Sequence, residues 1–414
     1  MKADIVIVGA GPAGLAAAAA ALHCNRRVTL IDDNPSIGGQ IWRGMPFIAS
    51  YSDMFIDPGL TYLSSARVVA VPARNQLLLE TATGAIELHY ARLIVATGAR
   101  EHLLPFPGWT LPGVMGVGGL QAMVKNGMTV RGQRIVLTGT GPLLLAAADT
   151  LQHAGAEVVM IAEQAQKTAL ARFAISLSVF PSKLAQAAQL FWSLRGTPYR
   201  PDSYVTGAFG HDRLQGVRLQ SGSHAVEISC DWLGIGYGLK PNTELLQALG
   251  CTIDGDCAVV DDHLQTSVPT IYAAGESTGV GGVDKALLEG HLAGLTASGN
   301  LSDVPALVAR RRHQLRFVQS LTRHFALRPE IVAQVTDATI VCRCEDVPHG
   351  RLSHFEHWRE AKLQTRCGMG PCQGRLCAGA CAALYGWRDT SLRPPLQPAR
   401  LATLASAITS TATP

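Results

Sequence analysis

The stretch from Asp4 to Asp33 constrains the fold more than any other part of the chain. A short, apolar, β-branched run is followed by a glycine-rich turn, an Ala-rich helix-forming segment and a second apolar run that ends in two acids. This order of strand, glycines, helix, strand and acid is typical of a βαβ unit that binds a dinucleotide. The residues assigned to this site are Gly9, Gly11, Pro12, Ala13, Gly14, Asp32 and Asp33.

Each glycine of this motif has a distinct physical role. Gly9 permits a tight turn, Gly11 lets the backbone approach a pyrophosphate, and Gly14 lets the helix pack closely on the strand. The free N–H groups and positive dipole end of the helix N-terminus favour phosphate groups. Asp32 follows Gly14 by 18 residues and is placed to accept hydrogen bonds from a ribose hydroxyl. The alternative is a Gly/Ala-rich core unit without a ligand.

Composition limits the possible classes of protein. A chain of 414 residues predicts two or three domains, and a net charge of +4 is too small to indicate a nucleic-acid partner. The uncharged run Ile5–Leu22 approaches the length of a membrane span, but glycines and a proline interrupt it. It also begins too abruptly for a signal peptide. We therefore expect a cytoplasmic protein without a transmembrane segment.

A second βαβ pattern begins at Arg134. Gly139 and Gly141 occupy the first two glycine positions, but Leu144 stands at the third, and Glu163 follows Gly141 by 22 residues. A leucine there is expected to push helix and strand apart or to redirect the turn. The pattern predicts a second nucleotide-binding fold whose site binds NAD(P)H, stays empty or accepts another nucleotide.

Three further segments resemble those that surround the flavin in flavoprotein reductases with two dinucleotide domains. The loop after the first acid resembles one that runs under the flavin, although it could be an ordinary polar loop. A Thr-Gly turn after an apolar strand resembles one near the phosphates. An Ala-Ala-Gly-acid segment resembles the ribityl site, where aspartate is more usual, but could be a plain strand–helix junction. The resemblance implies flavin adenine dinucleotide (FAD) and these site residues: Gly39, Gln40, Arg43, Thr97, Gly98, Gly275, Glu276 and Gly282.

Six of the ten cysteines fall within a short C-terminal stretch, at positions 342, 344, 367, 372, 377 and 381. In a reducing compartment such a cluster indicates metal rather than disulfides. A Cys-x-Cys hairpin can place two thiolates on one iron of a [2Fe–2S] cluster, with Cys372 and Cys377 on the other. Zinc is the main alternative, and a metal-free cluster is another. Cys367 could replace Cys377, because four residues also separate it from Cys372.

Cysteines are scarce before this cluster. Within residues 1–229 the single cysteine is Cys24. A pair of redox-active cysteines beside the flavin is therefore excluded, and the flavin must exchange electrons with another group. No nucleophile–base or acid–base set stands out either, so we name no catalytic residue.

The order of these motifs resembles the α subunits of heteromeric bacterial amine dehydrogenases. The segments are the N-terminal fingerprint, GTGPLLLA, GYGLKPNTELLQALGC, AAGESTGVGGVDKALLEG and CRCED…TRCGMGPCQGRLC. This family includes the opine oxidase A subunit, the hydrogen cyanide synthase B subunit and D-hydroxyproline dehydrogenase α subunits. The C-terminal part resembles the [2Fe–2S] domain of bacterioferritin-associated ferredoxin. The resemblance assigns the cluster ligands to Cys342, Cys344, Cys372 and Cys377.

The resemblance implies an α/β flavoprotein with two Rossmann-like, three-layer dinucleotide domains and a small helical [2Fe–2S] domain. The predicted divisions are an FAD domain (1–112 and 246–300), an NAD(P)-like domain (113–245), linking helices (301–336), the cluster domain (337–390) and a tail (391–414). Five arginines of the linking segment could dock an acidic partner, but a solvated face is favoured: Arg310, Arg311, Arg312, Arg316 and Arg323.

The implied function is electron transfer within a heteromeric amine dehydrogenase. Substrate would be oxidised on a separate FAD-containing β subunit similar to D-amino acid and glycine oxidases, with a small ferredoxin-like γ subunit as a possible third chain. A second nucleotide, FMN, ATP or NAD(P), could lie at a boundary between subunits or in the second domain. The alternatives are a self-sufficient NAD(P)H-dependent reductase and a non-catalytic scaffold.

Overall fold

The computed structural model describes residues 2–43, 46–387 and 392–411. The chain divides into two compact units. Unit 1 comprises Met1–Arg100, Lys240–Val318 and Ser391–Pro414, and unit 2 comprises Glu101–Leu239 and Gln319–Thr390. The finer division predicted above stays a prediction, and its junction at residues 388–391 lies outside the described residues.

Unit 1 is built on a sheet of seven described strands. The N-terminal strand lies between Val28–Ile31 and Gly84–Val95 and is parallel to both. The strands in spatial order are Leu60–Leu63, Val28–Ile31, Lys2–Val8, Gly84–Val95, Gln76–Thr81 and Arg67–Ala70, with Ile271–Ala273 also pairing with Gly84–Val95. In place of Gly84–Val95, the sequence pattern predicts two separate strands, Ala85–His89 and a second one that begins at Arg92. One strand forms because its first half pairs antiparallel with Gln76–Thr81 and its second half continues parallel to the N-terminal strand.

Two helices of unit 1 pack closely beside this sheet. They are Pro12–His23 and Val283–Ser298. A Cβ atom at Gly290 would lie 2.1 Å from the carbonyl oxygen of Ala13, and one at Gly294 would lie 2.4 Å from that of Ala17. The small residues therefore allow the two backbones to touch. The other elements with residues in unit 1 are Pro46–Ile56, Ala99–Glu101, Leu239–Pro241, Glu244–Ala248, Ile253–Asp254, Cys257–Ala258, Gly275–Thr278, Val304–His324 and Leu401–Thr411.

Unit 2 contains a second parallel sheet and a smaller antiparallel one. The parallel strands, in spatial order, are Tyr199–Arg200, Glu157–Glu163, Arg134–Gly139, Trp232–Gly236 and Val114–Gly116. The antiparallel strands are Ser203–Phe209, Gly216–Ser221 and His224–Ser229. The helical elements of this part are Val117–Lys125, Pro142–His153, Lys167–Ser176, Leu177–Val179 and Pro181–Ser193. The mixed sheet of unit 1 and the parallel sheet of unit 2, each with a Rossmann-type βαβ unit, confirm the predicted α/β fold class.

The C-terminal part of unit 2 is small and mostly helical. A short hairpin carries the first cysteines of the cluster, and two helices carry or flank the others. The elements are Pro329–Val332, Ile340–Cys342, Val347–Pro348, His349–Arg351, Trp358–Thr365 and Cys377–Tyr385. Its core contains buried Val341, Val347, Leu352, Trp358 and Trp387 together with cysteines.

Candidate functional site

The first glycine turn, Gly9–Gly14, connects the N-terminal strand to its helix. A Cβ atom at Gly9 would lie 2.2 Å from the carbonyl oxygen of Ala96, and one at Gly14 would lie 1.7 Å from that of Gly9. These two positions therefore require glycine for packing. Gly11, in contrast, has only the Cα atom of Gly39 near its absent side chain, at 3.9 Å. The predicted loop that contains Gly39 thus lies against the turn at Gly11.

This arrangement suits the phosphates of a dinucleotide. Pro12 and Ala13 are buried at the first helical positions, where backbone N–H groups have no partner inside a helix. Proline lacks an N–H and has a φ angle suited to the helix start, so it begins the helix without leaving a donor unsatisfied. Gln40 is exposed.

Asp32 is buried and ties the second strand to the first glycine turn. Its Oδ2 atom accepts a hydrogen bond from the backbone N–H of Ala10 at 2.6 Å. Its Oδ1 atom accepts from the backbone and side-chain nitrogens of Asn34, both at 2.8 Å. Arg43 donates to the Oδ1 atom of Asn34 at 2.7 Å. Asn34, which the sequence reasoning missed, therefore connects the predicted Arg43 to Asp32, while Asp33 is exposed.

The turn at Thr97 and Gly98 is held by a residue far along the chain. The side chain of Asn242 donates to the carbonyl oxygen of Thr97 at 3.0 Å, and its backbone N–H donates to that of Gly98 at 2.9 Å. The Thr97 hydroxyl returns a bond to the carbonyl oxygen of Asn242 at 2.6 Å. Arg100 fixes the amide of Asn242 with a bond of 2.7 Å. The signal available in the sequence was Asn242, which directly follows Pro241, but the sequence analysis assigns it no role.

Glu276 lies where an acid was predicted to hold a ribityl chain. Its Oε1 atom accepts hydrogen bonds from the backbone N–H groups of Gly281 and Gly282, at 3.2 and 2.9 Å. Its Oε2 atom is buried and has no partner among the described residues. Burial raises the pKa of this carboxyl. A buried acceptor without a donor fits a ligand hydroxyl, and Gly282 faces open space beside it.

A buried ionic cluster underlies this turn and consists of Lys285, Glu289 and Arg311. Lys285 and Glu289 are 1% and 0% exposed. The Glu289 carboxylate accepts from Lys285 at 2.7 Å, from Arg311 at 2.8 Å and from the backbone N–H of Gly275 at 3.0 Å. Lys285 also donates to the carbonyl oxygen of Gly275 at 2.7 Å. The cluster thus fixes the start of the turn that carries Glu276.

This cluster corrects one expectation and reveals a missed signal. Arg311 was assigned to a solvated face, but it is buried because it neutralises Glu289. Its neighbours Arg310, Arg312 and Arg316 are exposed, as expected of a solvated face. The i, i+4 spacing of Lys285 and Glu289 was visible in the sequence, but their burial was not.

The second glycine turn, Gly139–Leu144, keeps the geometry of the fold despite its leucine. A Cβ atom at Gly139 would lie 2.0 Å from the carbonyl oxygen of Gly236. Leu144 is fully buried, and its Cδ2 atom lies 3.3 Å from where a Cβ atom of Gly236 would be. The absence of a side chain at Gly236, on the neighbouring strand, thus leaves space for Leu144 as well as for Val117. Helix Pro142–His153 therefore starts directly after Gly141.

Glu163 caps this turn from within the protein. Its carboxylate accepts hydrogen bonds from the backbone N–H groups of Gly141 at 2.7 Å and Ala165 at 2.9 Å. The side chain is 1% exposed, and burial raises its pKa to about 7. The acid is thus turned towards the backbone of its own turn.

Residues 324–328, which we call the strap, lie across the second glycine turn. Two ring atoms of Phe325 lie 3.9 Å from the position of a Cβ atom on Gly141. The side chain of Gln164 donates to the carbonyl oxygen of Ala326 at 2.9 Å and accepts from the backbone N–H of Arg328 at 3.0 Å. The sequence offered no signal for this contact, because more than 150 residues separate its partners.

The cysteine cluster contains three sulfur atoms within 4.8 Å of one another, those of buried Cys342, Cys367 and Cys377. Hydrogen bonds from the Cys367 and Cys377 thiols lower the pKa of Cys342. Exposed Cys344 and half-buried Cys372 lie beside each other, and a hydrogen bond joins their thiols. Soft thiolates without histidine suit iron–sulfur clusters or zinc. The predicted set of Cys342, Cys344, Cys372 and Cys377 stays a prediction.

Glycines and arginines shape the surroundings of the thiols. A Cβ atom on Gly370 would lie 2.3 Å from that of Cys344, and one on Gly368 would lie 2.7 Å from the Trp358 ring. The segment therefore folds closely against the hairpin. Arg366 pairs with Glu345 at 2.7 Å.

Comparison with known proteins places the chain in a family. A family model described as pyridine nucleotide-disulphide oxidoreductase matches residues 3–290. The A subunit of opine oxidase from Rhizobium meliloti (strain 1021) is 31% identical over 461 residues, covering 98% of this chain and 99% of that protein. The HcnB subunit of hydrogen cyanide synthase from Pseudomonas protegens is 31% identical over 431 residues, covering 92% of each.

Solved structures share the fold. The L-proline dehydrogenase from P. horikoshii superposes with a TM-score of 0.68 at 18% identity, covering 98% of this chain and 79% of that chain. No described helix has the length and apolar character needed to cross a bilayer. Since the family model spans most of the chain and the sequence relatives align over nearly all of it, this chain belongs to the pyridine nucleotide-disulphide oxidoreductase family and is a flavoprotein oxidoreductase.

Proposed function

We propose that this chain is the electron-transfer subunit of a heteromeric dehydrogenase that oxidises an amine, such as a D-amino acid, an opine or glycine. The observation that carries the proposal is the contrast between its two nucleotide turns. The nearest atom to the Cβ position lies at 3.9 Å in both turns, but at Gly11 it is the Cα atom of Gly39, which has no side chain, whereas at Gly141 it is the ring of Phe325. A protein of this design would receive electrons from a partner rather than from NAD(P)H.

FAD is the proposed ligand of unit 1, in line with the family. The first glycine turn and Asp32 would hold its pyrophosphate and adenosine ribose, and Glu276 would accept from its ribityl chain. The unpartnered Oε2 atom of Glu276 and the open space beside Gly282 fit such a ligand. Bound FAD would carry two electrons at a time, and a [2Fe–2S] cluster would carry one.

The thiol cluster is proposed to hold a [2Fe–2S] cluster through Cys342, Cys344, Cys372 and Cys377. All ten cysteines of the chain are free thiols, which supports metal binding in a reducing cytoplasm. Arg366 and the glycine N–H groups around Gly370 would offset part of the negative charge of such a cluster.

An exposed helical arm supports a role as one chain of a larger complex. The arm consists of helices Lys167–Ser176 and Pro181–Ser193 with their connection, and five large apolar side chains on it are between 46% and 73% exposed. They are Ile175, Val179, Leu184, Phe191 and Trp192. Residues 164–200 contain five basic residues and no acid. An apolar protein surface with an acidic rim, on the substrate-oxidising subunit, is the proposed occupant.

The relatives named as subunits of larger enzymes agree with this assembly. A small ferredoxin-like third chain belongs to the same proposal, as does a second nucleotide, FMN, ATP or NAD(P), at a boundary between subunits.

The first experiment is an anaerobic visible spectrum of the purified chain before and after NADH or NADPH is added. We expect flavin and iron–sulfur absorption that stay unchanged with either nucleotide. The same chain, mixed with its substrate-oxidising partner and an amine substrate, should bleach within one turnover. Bleaching by NAD(P)H alone would instead establish a self-sufficient reductase.

A companion variant addresses the scaffold alternative. Cys344→Ser should abolish electron delivery by the assembled complex while leaving assembly intact. Full activity of the assembled complex that contains Cys344→Ser would contradict the relay and favour a scaffold.

A further inference from the structure

We propose that the strap fills the nucleotide site of unit 2 and excludes pyridine nucleotides from it. The site keeps its βαβ fold, its glycine turn and its acid. It would therefore fail to bind pyridine nucleotides because the strap closes it, and not because the fold is lost. This inference rests on the proposed function, with which it shares the contact between Phe325 and Gly141, and deepens it by naming the segment that closes the site.

Phe325 occupies the pyrophosphate end of the site. The second glycine of such a turn is the position at which the backbone meets the pyrophosphate. At Gly141 that direction leads to the ring of Phe325, at 3.9 Å from the Cβ position. The ring of Phe173 packs edge-on against Phe325, with centroids 4.9 Å apart and an angle of 74°. A charged phosphate placed there would lose its water and gain an apolar ring.

Gln164 and Glu163 close the adenosine end. The acid that ends the second strand normally faces the ribose hydroxyls. Here the Glu163 carboxylate is used by the N–H groups of Gly141 and Ala165. The next residue, Gln164, is fully buried, and both ends of its amide bind the strap backbone. The strap thus uses both ends of the Gln164 amide, and the Glu163 carboxylate is directed towards the backbone of its own turn.

The strap is anchored beyond Gln164 as well. Arg328 pairs with Asp202 and with Glu330, the latter at 3.0 Å. Ile331, in the helix that follows, is buried in the core beneath the sheet. Removing one contact would therefore leave the strap in place, and opening it requires changes at Phe325 and Gln164 together.

Leu144 is not the cause of closure in this proposal. Its side chain is accommodated by Gly236 on the neighbouring strand, so the turn keeps its path. The sequence alone pointed to Leu144, whereas the packing points to Phe325. The two explanations predict opposite outcomes for substitutions at these positions.

The test measures NADH and NADPH binding to the full chain by titration calorimetry. The wild type and Leu144→Gly should show no binding, whereas the Phe325→Ala/Gln164→Ala double variant should bind. The apparent affinity of a closed site is its intrinsic affinity multiplied by the open fraction, so we expect a gain of roughly tenfold or more. Phe209→Ala, at a partly exposed phenylalanine of unit 2, is the matched control and should not bind.

Two results would overturn the proposal: binding to the wild type as tight as to the double variant, or a folded double variant that binds no better. If the double variant does not fold, hydrogen exchange of the wild type at residues 139–144 replaces it. If NADPH protects these residues from exchange, the proposed closure is overturned. If their exchange is unchanged at millimolar nucleotide, the proposed closure is supported. If NADH or NADPH binds the wild type without bleaching its flavin, the closure by the strap is refuted alone. If either nucleotide bleaches the flavin of the wild type, the electron relay is refuted as well.

Discussion

At the scale of single residues, two acids cap two glycine turns in different ways. Asp32 accepts from Ala10 and Asn34, and the residue that lies against Gly11 of its turn, Gly39, has no side chain. Glu163 is one methylene longer and reaches the N–H of Gly141 itself. The longer acid thus satisfies the N–H group of the residue that would otherwise approach a phosphate.

The raised pKa of Glu163 makes stability depend on pH. Because its pKa rises from 4.5 to about 7 on folding, the folded chain holds a proton that the unfolded chain has lost in this window. Stability should therefore fall as pH rises from about 4.5 to 7, by about 3 kcal/mol at most, and then level off. Glu163→Gln should remove this loss. The free energy of unfolding in urea, measured at several pH values, tests this prediction, and the exposed Glu157→Gln variant is the control. An equal loss of stability between pH 4.5 and 7 in Glu163→Gln and in the wild type would contradict it.

The ionic cluster beneath Glu276 gives a second residue-scale prediction. Lys285→Met leaves the Glu289 carboxylate with one cationic partner instead of two in a buried site. Loss of one partner from a buried ion pair costs about 3–5 kcal/mol, and Arg311 should reduce this to about 2–3 kcal/mol. Thermal unfolding would measure this loss of stability, and the flavin content after gel filtration would show whether the site is retained. Exposed Lys167→Met is the control, and an unchanged melting temperature for Lys285→Met would refute the role assigned to the cluster.

At the scale of elements, small residues determine how closely the helices and strands approach. Gly290 and Gly294 bring helix Val283–Ser298 against the Ala-rich first helix, and Gly236 makes room for Leu144. The arm differs, because helix Pro181–Ser193 has no buried side chain and leaves Phe191 and Trp192 exposed. Arg195 stacks over the Trp192 ring at 3.7 Å and so orders it.

Under the proposed function, the arm is expected to be the docking surface for a substrate-oxidising partner. Trp and Arg dominate interface hot spots, so Trp192→Ser should weaken the complex by about 2 kcal/mol, or roughly thirtyfold in Kd. Binding of the purified partner, measured by calorimetry, is the readout. Leu401→Ser removes an exposed leucine from the C-terminal helix and serves as the control. Equal affinities for the two variants would exclude the arm, and vesicle binding lost only in Trp192→Ser would assign it to a membrane surface.

At the scale of the whole molecule, the cysteine cluster decides whether the chain can carry single electrons. Cys344→Ser should abolish the electron paramagnetic resonance signal of a reduced [2Fe–2S] cluster and lower the iron content, whereas Cys24→Ser should leave both unchanged. Comparison of Cys367→Ser with Cys377→Ser identifies the fourth ligand. A full signal in Cys377→Ser together with its loss in Cys367→Ser would overturn the assigned ligand set.

Local patterns made much of the fold and part of the site predictable. Gly9 and Gly14 are required by contacts within one βαβ unit, so the sequence was sufficient there. The strand Gly84–Val95 was divided in two because its change of partner is invisible in local periodicity. Asn34, Asn242 and Glu289 were missed because their partners, or their burial, become apparent only after folding.

The sequence by itself determined the two nucleotide-binding folds, the acid after each and the six clustered thiols, because spacing within a βαβ unit or a hairpin fixes such features locally. Tertiary structure alone decided what lies against each turn, since Gly39 meets Gly11 and Phe325 reaches Gly141 from far along the chain. It also placed Cys367 beside Cys342 and Cys377 and buried Arg311 against Glu289. Contacts between distant segments depend on how the whole chain packs, and local sequence patterns do not contain that information.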